Sequence, residues 1–258
     1  QGEVDVVSIC SPTDFHIDSI ISVLRWKPQL IFCEKPIASN LHDAKAIIKA
    51  CRDSGVKLVI NYSRRWDPDV CKFKNDIING KWGEVHSISG LYNKGVLNNG
   101  GHLIDLIQFL FGSLTVLETG KVSYDFWDND PSICCLLETN SGVPVTLNIG
   151  NAGSYSLFEL QVVFEEGIVR IESGGLKWVT KSVIESSDFS GYRTLGADIF
   201  YEGRYKECMY RSVENIYNYL VDGSDFPSTA MSALKAQIVC NEILEKSISK
   251  EHNEEKYD

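Results

Sequence analysis

The sequence holds eight cysteines but no CxxC pair and no Cys and His cluster at metal-ligand spacing. That absence excludes a zinc site read from spacing and leaves the scattered thiols as small hydrophobes, the state expected in a reducing cytoplasm. No apolar run approaches the length of a membrane span, and no basic segment followed by an apolar one opens the chain. Basic side chains are in deficit, 25 Lys and Arg against 35 Asp and Glu, a formal net charge of -10. A field of that sign disfavours nonspecific contact with nucleic acid or an anionic membrane, so neither is expected as a partner. An anionic ligand would need a locally basic pocket, whereas a small neutral or sugar-like ligand would not. Internal repeats, low-complexity linkers and any GxGxxG are missing as well.

What is present is ordinary for a globule: 43% hydrophobic and 23% charged residues over a length of 258 that fits one large domain or two modest ones. "VDVVSICSP" is a short β-branched run of the kind found in a strand covered on both faces. "TDFHIDSIISVLRW" follows at helical spacing, with Thr13 or Asp14 placed to cap and an apolar stripe of Ile17, Ile20, Ile21 and Leu24. "LIFCEKP" reads as a second strand, "NLHDAKAIIKACRDSG" as a helix capped by Asn40 and stopped at Gly55, and "VKLVINY" as a third strand. Strand, helix, strand, helix, strand predicts a βαβαβ unit with a right-handed parallel sheet.

After Tyr62 the pattern changes. "DPDVCKFKNDIINGKWG" predicts a helix, "EVHSISGLYNKG" a strand, and "HLIDLIQFLFG" a short helix stopped by Gly112. From about Leu114 come strand-like runs with hairpin connections at "TNSG" and "EEG", which predict an antiparallel sheet. Helices are expected over roughly Tyr205 to Leu220 and Thr229 to Ser249, and the charged end "KEHNEEKYD" is expected to be disordered. The expected fold class is therefore α/β plus α+β: a partial Rossmann βαβαβ unit over 1–62, then an α/β domain over 63–258 with a large open-faced antiparallel sheet. Trp66, Trp82, Trp127 and Trp178 are expected as core or sheet-packing aromatics.

"SICSPTDFH", "CEKP" at the end of a parallel strand, "NYSRRWDP" and "GGHLIDLIQFLFG", in that order and before a hairpin-rich sheet, resemble the Gfo/Idh/MocA family of nicotinamide-dependent sugar and cyclitol oxidoreductases. The likeness runs over nearly the whole chain and implies NAD or NADP as cofactor. It also implies a homodimer or homotetramer built through the antiparallel sheet, and a sugar, nucleotide-sugar or cyclitol hydroxyl or keto group as substrate. Family members open with a strand, a Gly-rich turn and a helix that carry the pyrophosphate. Nothing in these residues matches that opening, so the first half of the nucleotide-binding domain is expected to be lacking. Two further readings follow: a catalytically inactive module that dimerises or binds ligand, and a relative that passes a hydride out and back to cleave glycosidic bonds.

A Lys at the carboxyl end of a parallel strand points into the crevice where doubly wound sheets bind ligands, which places Lys35 where a hydroxyl proton must be taken or given. By the resemblance it contacts substrate oxygen and the nicotinamide ribose. Glu34 would pair with it or anchor the loop, and Pro36, after a bond often cis in the family, would aim it. Ser11 and Pro12, with Thr13, follow a strand and would line the nicotinamide side. The family pattern puts an Asp and, four residues later, a His on the catalytic helix. Asp105 is matched to that Asp, leaving Phe109 where the His should stand and His102, three residues before Asp105, as the proton-transfer group. Asn61, Arg64 and Arg65 are expected to touch substrate or cofactor, an Arg there being able to fork onto a carboxylate or phosphate, or to form a domain-interface salt bridge. Tyr92, with Asn93 and Lys94, would line the sugar site. His16 is expected as a packed structural residue.

Overall fold

A computed structural model describes residues 4–254, with side chains to 248. Its first unit runs β1 (Val6–Ile9), α1 (His16–Val23), β2 (Leu30–Cys33), α2 (Leu41–Asp53) and β3 (Lys57–Ile60). The three strands are parallel in the order β1-β2-β3, with Val6 opposite Leu30 and Leu30 opposite Lys57. All four β2 residues are buried, which is why that strand reads as an unbroken apolar run. Ile20 and Val23 of α1 and Ala44, Ile47 and Cys51 of α2 are buried in the main core beside one face of this sheet. Leu30, Phe32 and Val59 cluster on the other side with Trp66, Ile216 and Phe226. Asn40 caps α2 by accepting from the Asp43 amide at 2.9 Å, and Gly55 turns the chain at φ +69.

The second unit begins with α3 (Pro68–Ile78), capped by Asp67, and β4 (Val85–Tyr92), and continues through a π-helical turn at Gly95–Gly100 directly into α4 (Gly101–Phe111). Then come β5 (Leu114–Trp127), β6 (Asp130–Thr139), β7 (Pro144–Ile149), β8 (Phe158–Phe164), β9 (Gly167–Glu172), β10 (Lys177–Glu185), β11 (Arg193–Leu195) and β12 (Ile199–Glu202). Two helices close the chain, α5 (Cys208–Asp222) and α6 (Ala230–Glu254).

The large sheet has the order β11-β10-β9-β8-β4-β7-β6-β5, with β12 also on β10. Both expected hairpins form, β6 with β7 and β8 with β9. The sheet is nevertheless mixed: β4 lies between β8 and β7 and runs parallel to β7, because α4 carries the chain from β4 to the far edge and the β5-β6-β7 meander brings it back. Local hairpin signals reveal neighbours in sequence and are silent about this insertion.

One face of the sheet is covered. Leu103, Ile104, Leu106 and Ile107 of α4 share a core with Leu137, Val145, Leu147, Leu160 and Val162. The approach is close at Gly90, where a Cβ would lie 2.6 Å from Leu103 and 2.7 Å from Leu147. The opposite face keeps Leu136, Glu138, Thr146 and Asn148 exposed. Disorder was expected from residue 250, but α6 continues to Glu254; residues 255–258 lie outside the described ones. Trp66, Trp82 and Trp178 are buried as expected, whereas Trp127 is 47% exposed.

Candidate functional site

Lys35 stands just beyond β2, half-buried, in the sequence Glu34-Lys35-Pro36 with a cis Lys35–Pro36 peptide. Its Nζ donates to Asn98 Oδ1 at 2.6 Å, a contact between the parallel unit and the turn that opens α4. Burial lowers the Lys35 pKa from the ordinary ammonium value, with Glu34 and Asp130 pulling it up and Arg64 pushing it down. Glu34 does not bond to Lys35. It accepts from Asn61 Nδ2 at 2.8 Å, so Asn61, 4% exposed, braces the loop at the ends of β2 and β3. His16 is buried and ties the two neighbouring turns together, Nδ1 at 3.0 Å from the Pro36 carbonyl and Nε2 at 3.0 Å from that of Ser11. Beside Lys35 opens a cleft of about 280 Å³ lined by Thr13, Asp14, Pro36, Asn98, Trp127 and Asp130. Ser11 and Pro12 are not part of its lining, to which the next two residues, Thr13 and Asp14, belong instead.

The π-helical turn is held by carboxylates of the β5–β6 hairpin. Asp130 Oδ1 accepts from the Leu97 amide at 2.8 Å and Oδ2 from the Asn98 amide at 2.9 Å. The Gly95 amide donates to Ser132 Oγ, which in turn donates to Asp125 Oδ1. Gly95 has φ +88, and a Cβ there would fall 2.1 Å from Asp130 Oδ2, so both conformation and space call for glycine. These contacts set Asn98 against Lys35. Four residues on, at the next turn of the same helical segment, stands His102, half-buried and edge-on to Tyr62 at 5.7 Å between ring centroids. Burial, with Arg64 and Lys35 nearby, pushes its pKa well below the usual imidazole value and keeps the ring neutral.

Several expected site residues lie elsewhere. Asp105 is 1% exposed and forks with Arg65, whose Nε and Nη2 each reach a carboxylate oxygen at 2.9 Å and whose Nη1 donates to the Pro227 carbonyl at 2.8 Å. It therefore does not orient His102: Arg65 takes both oxygens, in a salt bridge inside the second unit and not across a domain interface. Phe109 belongs to the same side, with Lys74 Nζ 3.7 Å and Arg65 4.8 Å from its ring. Arg64 lies over Phe158 at 3.6 Å and donates from Nη2 to the Gly174 carbonyl at 3.1 Å, with its Nε buried and unpaired, and neither arginine lines the cleft beside Lys35.

Tyr92 is fully buried, its hydroxyl donating to the Ile133 carbonyl at 2.8 Å and accepting from the Ile133 amide at 2.9 Å, and it does not line the cleft. Asn93 is likewise buried, bound to the backbone of Tyr155 and Leu157. Three residues were missed: Asn98, Asp130 and the cleft role of Trp127. The signal for the first was legible, since counting back four residues from His102, at the spacing assigned to the catalytic pair, arrives at Asn98.

Residues 1–62 match a family described as "Oxidoreductase family, NAD-binding Rossmann fold". Inositol 2-dehydrogenase of Rhizobium meliloti (strain 1021) is 26% identical over 257 aligned residues, covering 91% of this chain and 76% of the relative. D-apiose dehydrogenase of Paraburkholderia graminis is 25% identical over 216, covering 76% and 56%. Among solved structures, levoglucosan dehydrogenase in complex with NADH and levoglucosan superposes with a TM-score of 0.79 at 15% identity, covering 96% of this chain and 79% of the other. At that identity the structural likeness speaks for the fold alone.

Proposed function

We propose that this chain is an oxidoreductase of the Gfo/Idh/MocA family and that it serves hydride transfer between a nicotinamide cofactor, NAD or NADP, and a hydroxyl or keto carbon of a sugar or cyclitol. The observation that carries this reading is Lys35 Nζ on Asn98 Oδ1, at the carboxyl end of a parallel strand and beside an open cleft. The division at residue 62 into a nucleotide-binding part and a substrate part belongs to the same reading. So does a homodimer or homotetramer through the uncovered sheet face. A cytoplasmic setting accords with eight free cysteines and with no helix, among the described residues, long and apolar enough to cross a membrane.

The residues present fit the nicotinamide end of the cofactor. A cleft of about 280 Å³ holds a nicotinamide ring or a sugar ring but not a dinucleotide, and no glycine-rich turn in this sequence cradles a pyrophosphate. When bound, the cofactor supplies the hydride donor or acceptor. Lys35 takes or returns the proton of the reacting hydroxyl, and burial, by lowering its pKa from the ordinary ammonium value, favours the free amine. Asn98 holds Nζ at the cleft. His102, neutral and one helical turn beyond Asn98, does not line the cleft itself and is the imidazole that would accept a hydrogen bond from a substrate hydroxyl reaching past Asn98. Trp127 offers an apolar wall at the mouth.

Formation of NADH or NADPH should be followed with a panel of inositols and neutral sugars, with Lys35→Ala as control. Turnover that falls by about 10²–10⁴ in the variant supports the assignment. No turnover with any member and either nucleotide, or turnover untouched by the substitution, overturns it.

A further inference from the structure

The nearest partner of Lys35 Nζ is a carboxamide, which can accept a hydrogen bond but carries no charge. A half-buried ammonium with only a neutral partner would lose its proton too readily unless a carboxylate stood close by. Two carboxylates act on it, Glu34 and Asp130, opposed by Arg64, with the Cys240 thiol and the neutral His102 as the other titratable groups around it. Glu34, the stronger of the two in its pull on Lys35, is its chain neighbour and is held by Asn61, with no hydrogen bond to Asn98. Asp130 is differently placed: it is 7% exposed, lines the cleft beside Lys35 and Asn98, and receives the backbone amide of Asn98 itself.

We propose that Asp130 is the positioning residue of this site. Its carboxylate, clamped between the Leu97 and Asn98 amides, aims the Asn98 carboxamide at Lys35 and supplies the negative charge that the carboxamide lacks. The device has two parts. The clamp fixes the backbone of residue 98, so the side-chain oxygen sits at 2.6 Å from Nζ and not elsewhere in the cleft. The charge acts on Lys35 across the cleft that both line, and together with Glu34 it raises the proton affinity of the amine against burial and Arg64. Ser132 and Asp125 support the preceding Gly95 and Lys94 amides, which keeps the turn in place without adding a charge next to Lys35.

This rests on Lys35 as the proton-handling group, and the test reads Lys35 directly, so a failed turnover screen and a failed positioning role give different results. The intact chain is labelled competitively with acetic anhydride against a free amine standard across a pH series, and the Lys35 peptide is quantified by mass spectrometry. Asp130→Asn should move the titration midpoint of Lys35 down by about one pH unit, roughly tenfold in the ratio of free amine to ammonium. Asn98→Ala should move it down as well, Asn98→Asp should move it up, and Ser132→Ala should leave it in place. A folded Asp130→Asn chain, checked by circular dichroism, with an unmoved midpoint overturns the proposal. If that variant does not fold, an unmoved midpoint in Asn98→Ala does the same. A Ser132→Ala shift as large as that of Asp130→Asn would also overturn it, because turn integrity and not charge would then be the cause.

Discussion

Removing the Asp105 carboxylate should destabilise the fold rather than silence its chemistry. Asp105 and Arg65 are 1% and 6% exposed, and three of the four hydrogen bonds that the Arg65 guanidinium makes end on that one carboxylate. Asp105→Ala leaves a guanidinium in the interior beside the Phe109 ring, with the Pro227 carbonyl as the one hydrogen-bond partner left to its side chain. Breaking a buried pair at one end costs about 3–5 kcal/mol, because the remaining charge stays desolvated. Asp105→Asn keeps one acceptor oxygen and the shape, so its loss should be smaller. Equilibrium urea unfolding followed by tryptophan fluorescence measures both, while Lys35 labelling in the folded variants should remain at the wild-type midpoint. A loss below about 1 kcal/mol, the size of an ordinary surface change, together with a displaced Lys35 midpoint, would refute the assignment of Asp105 to the scaffold.

Tyr92→Phe removes both hydrogen bonds to Ile133 and leaves the ring in the core, so it should cost about 1–3 kcal/mol in the same unfolding assay without changing substrate KM. A raised KM would return Tyr92 to the sugar site. Trp127→Ala should raise substrate KM with little effect on kcat, since the indole borders the cleft and touches no proton; a selective fall in kcat would contradict this. Asp67 gives the pH prediction. Burial raises its carboxyl from 3.8 to about 6, so the folded chain holds a proton there that the unfolded chain releases from about pH 4 upward. Stability is therefore highest below pH 4 for this group and falls as pH rises through 6, by about 3 kcal/mol in all. Asp67→Asn, which keeps the helix cap on the Asp69 amide, should flatten that slope. An unchanged slope between pH 4 and 6 would contradict it.

The parts legible in the sequence were those that short-range patterns encode. A central parallel strand is apolar throughout because both its faces are covered, and Asn40 and Gly55 mark the ends of α2 by capping and by left-handed backbone. Lys35 could be placed because a strand end fixes a direction. The pairing of β4 with β7 could not, since nothing local records which strands a returning chain will lie between. The partners of α4 were misassigned for a related reason. Asp105 and His102 are close in sequence, but Arg65 lies forty positions away and decides what Asp105 does. Asn98 escaped notice because an amide in a glycine-rich turn reads as turn chemistry until a π-helical segment joins it to α4. Trp127 escaped because a strand aromatic is usually packed, and this one lies at the tip of a hairpin that overhangs the cleft.

The most direct test of the central claim is saturation-transfer NMR on this chain with NADH, alone and with Lys35→Ala. A cofactor whose reacting end lies against Lys35 and Pro36 should receive more saturation at the nicotinamide protons than at the adenine protons, and the preference should disappear in the variant. Saturation confined to adenine, or none at either end in a folded sample, would contradict the placement of a nicotinamide at this cleft.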